Sequence, residues 1–138
     1  MAKGKFTPKR PEKYMGEVGN IVWRSSWELR FCQFCDNNPN ILRWSSEEIH
    51  VPYIKPTDGR IHKYYPDFFI EYVDKNGELH KELIEIKPHK EAVRKKKMST
   101  YDRITLAINE AKWESAIKFC EVRKIKFRVI TEKSLFKT

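Results

Sequence analysis

The chain has 138 residues and a formal net charge of +9, and 34% of its residues are charged. This length predicts one domain with its own core, and the 13% of aromatic residues indicates a globular rather than a disordered chain. The positive charge favours a polyanion such as nucleic acid as partner. A membrane is not expected, because the sequence contains neither an apolar run of spanning length nor a signal peptide.

The first residues combine basic side chains with proline and glycine. They predict a basic N-terminal arm over residues 1–19, followed by a single domain over 20–138. Lys9 and Arg10 belong to this arm and are candidates for DNA binding, because basic side chains gain affinity for phosphates through counterion release. A solvated, mobile segment is an equally good alternative.

A helix is predicted within residues 21–36. Ser25 and Glu28 match the Ser-x-x-Glu pattern of a capping box, so the regular part is expected to begin at Ser26. Its apolar residues are expected to pack inward: Trp23, Trp27, Phe31, Phe34 and Cys35. Glu28 has two interpretations. It caps the first turn, or it lies near the buried edge of the helix, where a carboxylate requires a cation.

Cys32 and Cys35 lie late in this helix. A redox pair needs its thiols at a helix N-terminus, where the dipole lowers their pKa, and a zinc site needs a second pair of ligands at a suitable spacing. The sequence offers neither, so core packing is predicted, with the three cysteines reduced.

Two stretches rich in aromatic and β-branched residues, at 64–70 and 83–88, predict the strands of a hairpin. The sequence Asp-Lys-Asn-Gly at 74–77 fits a three-residue loop that is closed by a left-handed glycine. A two-residue loop is the alternative, and it would shift the register by one residue.

In the register of the three-residue loop, Asp67 lies opposite Glu85, with Cβ atoms about 5 Å apart. Lys87 follows Glu85 by two residues and therefore points to the same face. Two carboxylates at this distance repel each other unless a cation lies between them, and hard oxygen ligands suit Mg²⁺ or Mn²⁺ better than zinc. A surface hairpin with solvated charges is the alternative, but it does not explain why Glu85 and Lys87 interrupt an apolar run.

The region between the first helix and the hairpin predicts one or two strands over residues 41–53, broken near Ser45 and Ser46. Glu47 and Glu48 lie at this break. Because charges at a strand edge are ordinary, both are left out of the predicted site.

Residues 89–101 are basic and show no apolar period. They predict either a solvated loop or a mobile clamp on the DNA backbone, since they leave directly from Lys87. The candidate DNA-binding residues here are Lys90, Arg94, Lys95, Lys96 and Lys97.

The last part of the chain predicts a long helix over 104–123, a strand over 125–130 and a short helical turn capped by Thr131. Asn109 and Lys112 have two interpretations: their side chains reach the cleft, or they lie at a solvated edge of the long helix, which is the favoured interpretation. The order of elements predicts an α/β sandwich, in which a mixed sheet is flanked by a helix on each face.

Pro66-Asp67 followed by Glu85-Ile86-Lys87 resembles the signature of the PD-(D/E)xK nuclease superfamily. The wider resemblance is to the head-completion nucleases of T-even-type tailed phages and, more loosely, to TnsA-type transposase nucleases. It is carried by Arg24-Ser25-Ser26-Trp27-Glu28, Tyr65-Pro66-Asp67-Phe68, Glu85-Ile86-Lys87-Pro88, Ala111-Lys112-Trp113 and Thr131-Glu132-Lys133.

This resemblance implies a restriction-endonuclease-like fold and a Mg²⁺-dependent deoxyribonuclease, with Mn²⁺ as a substitute. It implies that Asp67, Glu85 and the backbone carbonyl of Ile86 bind the metal, that Glu28 completes the cluster, and that Lys87 orients the attacking water. It further implies DNA as substrate, head or portal proteins as partners, and action in the host cytoplasm or the virion during head completion. The alternatives are a virion DNA-binding or joining protein with secondary nuclease activity, and a transposase- or restriction-type endonuclease.

Overall fold

The computed structural model describes residues 3–92 and 96–135. The strands are β1 (Gly4–Lys5), β2 (Val22–Trp23), β3 (Ile41–Ser46), β4 (Val51–Ile54), β5 (Ile61–Tyr64), β6 (Phe68–Val73), β7 (Leu79–Ile86) and β8 (Lys126–Ile130). The helices are α1 (Ser26–Asn37), α2 (His89–Ala92), α3 (Thr100–Val122) and α4 (Glu132–Leu135), with 3₁₀ turns at Pro11–Lys13 and Val18–Asn20.

A mixed four-stranded sheet forms the centre of the fold, in the order β3-β6-β7-β8. The pairs β3–β6 and β6–β7 are antiparallel, and β7–β8 is parallel. The antiparallel pair β4–β5 forms a separate two-stranded sheet, which we call the β4–β5 ribbon. The predicted α/β sandwich with a mixed sheet is confirmed.

The two central strands are buried over 68–71 in β6 and 82–86 in β7, and these stretches are mainly apolar, with Glu71, Glu82 and Glu85 as the exceptions. Phe68 and Ile84 pack toward Phe31 and Cys35 of α1. Their neighbours Phe69 and Leu83 point the other way, into a cluster that includes Ala116 of α3 and the inner side of the ribbon. Each face of the sheet is therefore covered by one helix, as predicted.

Helix α1 begins where the capping box predicts. The Oγ of Ser25 accepts a hydrogen bond from the backbone N–H of Glu28 at 3.2 Å. The prediction that Phe34 packs inward is wrong, because this residue is 49% exposed. The buried residues of the helix, Phe31, Cys32, Cys35 and Asp36, define a stripe. At 3.6 residues per turn, Phe34 lies roughly 130° from its centre.

The three cysteines are free and buried, as the sequence predicts. Burial raises the pKa of the Cys32 thiol to about 12 and that of Cys120 to about 11. Thiols with such pKa values remain protonated at neutral pH, and a protonated thiol is a poor nucleophile and metal ligand.

The N-terminal segment that the sequence analysis treats as an arm is attached to the domain from residue 3 onward. Strand β1 pairs with β2, and Tyr14 is buried with its ring centroid 4.8 Å from that of Trp44. The carboxylate of Asp36 accepts the backbone N–H groups of Lys9 at 2.8 Å and Arg10 at 3.0 Å.

The basic side chains of this segment serve the end of α1. The Nζ of Lys13 donates to the carbonyl oxygens of Cys35 at 2.7 Å and Asn38 at 2.9 Å, and Arg10 donates to the carbonyl of Asp36 at 3.3 Å. Unpaired carbonyls at a helix C-terminus attract cations, so part of the basic charge has a structural role. DNA binding by Lys9 and Arg10 stays a prediction.

Strand β7 spans Leu79–Ile86 rather than 83–88, and two further element boundaries differ from the predictions. The predicted strand 64–70 is divided, because β5 ends at Tyr64 in the ribbon and β6 begins at Phe68 in the central sheet. Pro66 lies between them and lacks the N–H that a continuous ladder would need. Helix α3 begins at Thr100 rather than 104, since the Oγ of Ser99 caps it by accepting the N–H of Asp102 at 3.0 Å.

Helix α3 spans 23 residues. None of the helices in the described part of the chain is both long and apolar enough to cross a bilayer.

Candidate active site

The turn of the β6–β7 hairpin sets the position of the candidate site. The N–H of Gly77, at a φ of +79°, donates to the carbonyl of Asp74 at 3.0 Å, and the N–H of Asp74 donates to that of Glu78 at 2.9 Å. The ladder then pairs Phe68 with Ile84. The three-residue loop is confirmed, and it places Asp67 and Glu85 one residue beyond this pair, at the same end of the hairpin.

Asp67 is enclosed by protein but keeps part of its surface exposed. Its Oδ2 accepts the backbone N–H of Ile86 at 2.7 Å. Burial raises the pKa of Asp67 well above its usual range, and the charge of Glu85 raises it further. The charge of Glu85 therefore makes the carboxyl group of Asp67 harder to ionise.

Glu85 is buried, with 6% of its surface exposed. Its Oε1 accepts a hydrogen bond from the hydroxyl of Tyr64 at 2.7 Å, and its Oε2 lies 3.7 Å from the Nζ of Lys87. Burial raises the pKa of Glu85, against the lowering effects of Tyr64 and Lys87. The structure thus brings Asp67, Glu85 and Lys87 together, as the sequence analysis predicts.

Glu28 faces the same cluster from the first turn of α1. It is half-buried, its Oε1 accepts the N–H of Arg24 at 3.4 Å, and burial raises its pKa. Its charge contributes to the raised pKa of Asp67. Both interpretations of Glu28 are therefore compatible with the structure, since the residue lies at the helix cap and beside the carboxylates.

Glu47 also faces the cluster, contrary to its assignment to a strand edge. Its backbone N–H donates to the carbonyl of Asp67 at 3.1 Å, and its carboxylate pairs with the guanidinium of Arg24. Its charge helps to raise the pKa of both Asp67 and Glu28. The β3–β6 register would have placed Glu47 beside Asp67. The sequence does not reveal this register, because it contains an irregularity and cannot be counted from a turn.

Lys112 reaches the site from α3, and its assignment to a solvated helix edge is wrong. Its Nζ lies 5.5 Å from the ring centroid of Tyr64, whose hydroxyl contacts Glu85. Burial lowers the pKa of Lys112, the charge of Lys87 lowers it further, and Glu85 opposes this change. Asn109 is likewise buried, with 5% of its surface exposed.

Residues 38–132 match the family model of the TnsA-like endonuclease N-terminal domain. The chain belongs to this family. It is also 35% identical over 142 residues to the head completion nuclease of Enterobacteria phage T4, an alignment that covers 96% of this chain and 92% of that protein. The nuclease prediction is confirmed at the level of the family.

The donor set of this TnsA-like nuclease fits a hard divalent cation. Asp67 and Glu85 offer carboxylate oxygens in a site where like charges are close and burial disfavours ionisation. The oxygens of Glu28, Asp67 and Glu85 do not all lie within 4.8 Å of one another. An ion between Asp67 and Glu85 would therefore keep water ligands on the side of Glu28, which suits Mg²⁺.

A second acidic group in the described residues lies at the turn of the hairpin, where ligand atoms of Asp74, Glu78 and His80 come within 4.8 Å of one another. Its hydrogen bonds account for it. Asp74 accepts the N–H groups of Asn76 at 2.8 Å and Glu78 at 3.0 Å, and it pairs with His80 at 2.8 Å. This group closes the turn, about 23 Å along the strand from Asp67.

Of the predicted DNA-binding residues, Lys9 and Arg10 contact Asp36 near the C-terminal end of α1, the end opposite Glu28. Lys96 and Lys97 are exposed in the segment before α3. Arg94 and Lys95 lie outside the described residues, as does the side chain of Lys90. Helix α2 leaves the site beside α4, since the N–H of His89 donates to Glu132 at 2.8 Å.

Proposed function

We propose that this protein is a Mg²⁺-dependent deoxyribonuclease, and that Asp67, Glu85 and the backbone carbonyl of Ile86 hold the ion. The observation that carries the proposal is the pair of enclosed carboxylates with Lys87 3.7 Å from one of them. Membership of a nuclease family supports it. When bound, the ion would supply Lewis-acid polarisation of a phosphoryl oxygen.

Lys87 has the position of the group that orients the attacking water and stabilises charge on the phosphate. Its backbone N–H donates to the carbonyl of Ile130 at 2.9 Å, which ties it to the parallel pair β7–β8. Its side chain remains 27% exposed. A cation held by a rigid sheet costs little reorganisation during the reaction, which is the condition for strong electrostatic stabilisation.

The other polar groups hold the carboxylates in place. The N–H of Ile86 orients Asp67, and the hydroxyl of Tyr64 orients Glu85. Glu28 stands back from this pair, where it binds a second ion or an ordered water. The second oxygens, Oδ1 of Asp67 and Oε2 of Glu85, are those that would bind the cation.

We propose that the biological role is cleavage of DNA during phage head completion, in the host cytoplasm or in the assembled virion. The relative that supports this role is named a head completion nuclease, and the similarity extends over nearly the whole length of both chains. Head or portal proteins are the partners that this role requires.

The test is incubation of supercoiled plasmid with the purified protein, in Mg²⁺ and in EDTA. We expect the wild-type protein to nick the plasmid in Mg²⁺ but not in EDTA. Nicking should be lost in Asp67→Ala and reduced by more than about 100-fold in Lys87→Ala. Both variants should retain DNA in a filter-binding assay. Binding without metal-dependent cleavage by the wild-type protein would contradict the proposal and favour a DNA-joining protein.

A further inference from the structure

Three lysines from separate elements form a row beside the carboxylates, which we call the lysine row. Lys87 follows β7, Lys112 lies on α3, and Lys55 follows β4 at the tip of the ribbon. Lys112 is the central member, since its Nζ lies beside the ring of Tyr64, whose hydroxyl contacts Glu85, and beside the ring of Tyr53, two residues before Lys55. The row therefore runs from the candidate site toward the tip of the β4–β5 ribbon.

The fold holds the central member in place. The Nζ of Lys112 lies 5.5 Å from the ring centroid of Tyr64 and 5.9 Å from that of Tyr53, so two rings of the ribbon support it. The backbone N–H of Lys55 donates to the carbonyl of Arg60 at 2.9 Å, which closes the ribbon tip. The row is thus built on a helix and a paired ribbon.

Lys55 and Lys112 differ from Lys87, whose Nζ lies 3.7 Å from the Oε2 of Glu85. Among the described residues, no carboxylate comes within 4.0 Å of the ammonium group of Lys55 or Lys112. The acid of the ribbon turn, Asp58, accepts the N–H of Arg60 at 2.9 Å and pairs with His62 at 2.8 Å. Positive charges that lie close together without a short ion pair attract a polyanion.

We propose that Lys112 and Lys55 bind phosphates of the DNA strand that is cleaved, next to the cleaved bond. The inference rests on the proposed function, because that function places DNA at Asp67 and Glu85. Charges along one strand recur about every 3.4 Å of helix axis, so the two lysines take phosphates within a few nucleotides of the cleaved one. The β4–β5 ribbon is then a DNA-binding element.

The first test measures affinity for a short DNA duplex in EDTA, as a function of salt, so that no cleavage occurs. Each lost phosphate contact lowers the slope of log K against log[salt] by about 0.9. We expect a fall of about 0.9 for Lys55→Ala and about 1.8 for Lys55→Ala with Lys112→Ala. Lys112→Arg keeps the charge and should keep the slope, whereas a structural role of Lys112 would not produce this pattern.

Lys126→Ala is the matched control, because it removes the same charge from an exposed lysine. Lys126 begins β8, about 13 Å along the strand from Ile130, which lies beside the site. Its variant should keep the wild-type slope. A wild-type slope in the double variant, or an equal fall in Lys126→Ala, would overturn the proposal. Because Lys55 lies at a turn, Lys55→Ala tests it even if Lys112→Ala unfolds.

The second test places one uncharged methylphosphonate linkage in a duplex and maps cleavage in Mg²⁺. The position of each cleaved bond shows how the duplex lay on the protein. Cleavage by the wild-type protein should therefore be suppressed at bonds that lie a fixed number of nucleotides from the neutral linkage. The double variant should lack this suppression. If the variants alter the salt slope but the wild-type protein cleaves no DNA, the proposed nuclease activity is refuted and phosphate binding by Lys55 and Lys112 is supported. If the protein cleaves DNA but the variants leave the slope unaltered and the neutral linkage suppresses no cut, the nuclease activity is supported and phosphate binding by the two lysines is refuted.

Discussion

The two ends of the β6–β7 hairpin both carry acidic side chains, and they differ in burial and in hydrogen-bond donors. At the turn, Asp74 is partly exposed, and hydrogen bonds from His80 and then from the N–H of Glu78 lower its pKa. At the other end, burial raises the pKa of Asp67. Close spacing of acids alone therefore does not make a metal site. The candidate site arises where ionised carboxylates lack enough donors in the protein.

The largest expected effect on stability is a change in Tm that has opposite signs for substitutions at the two ends of the hairpin. It is measured by thermal unfolding in EDTA. Because the pKa of Asp67 is raised, the protonated form of this group contributes stability to the folded state relative to the ionised form. This stability is present at low pH and is lost as pH rises through the folded pKa. Asp67→Asn should therefore raise Tm at neutral pH by at least about 4 °C, the shift that roughly 1 kcal/mol produces.

Asp74→Asn is the matched control, and its sign is reversed. The lowered pKa of Asp74 gives stability that is present at neutral pH and is lost as pH falls through the folded pKa. This variant should lower Tm slightly at neutral pH and match the wild type in acid. If both variants shift Tm in the same direction, the electrostatic contrast between the two ends is wrong.

Among the partners of the candidate site, the largest effect on cleavage is expected for Tyr64→Phe, which removes a hydroxyl donor from buried Glu85. An unsatisfied buried carboxylate costs about 1–3 kcal/mol, so plasmid cleavage should fall by roughly 10- to 100-fold. Tyr72→Phe is the control toward the turn. Tyr72 donates to Glu82 at 2.7 Å, but Arg128 also pairs with Glu82 at 2.6 Å. Equal losses in both variants would mean that Tyr64 serves only the fold.

Glu47→Gln should have a smaller effect than Tyr64→Phe, and it should act on the Mg²⁺ concentration that cleavage requires. Its charge acts on Asp67 and Glu28, so its removal should raise the Mg²⁺ concentration for half-maximal cleavage. The rise should be below about tenfold, since one partly exposed charge contributes on the order of 1 kcal/mol. Glu48→Gln should leave it unchanged, because Glu48 bonds instead to Tyr14 at 3.0 Å. An unchanged requirement in Glu47→Gln would remove this residue from the site.

The smallest effect on cleavage is expected for Gly77→Ala at the turn. Gly77 has a φ of +79° with no neighbouring atom within 4 Å of an added Cβ, so only backbone strain opposes the substitution. We expect a loss of about 1–2 kcal/mol in denaturant unfolding and normal cleavage by the folded protein. Gly19→Ala has equal space without the positive φ and should be neutral. Lost cleavage in stable Gly77→Ala protein would indicate a shifted register.

Local sequence was sufficient wherever the deciding interaction spans few residues. The turn at 74–77 sets the register that brings Asp67 opposite Glu85, and the Ser25 cap sets the start of α1. Both depend on hydrogen bonds between residues at most four positions apart. Apolar period likewise located the strands and the face of each helix, apart from Phe34 and the start of α3.

Only the tertiary structure decided which distant side chains join the hairpin. Glu47 comes from a strand with an irregular register, Lys112 from a helix on the sheet face, and Tyr64 from a ribbon outside the sheet. The N-terminal segment is attached through Asp36, far away in sequence. These approaches depend on the packing of whole elements against one another. No local pattern encodes that packing, because the same charged residues would be equally stable in water.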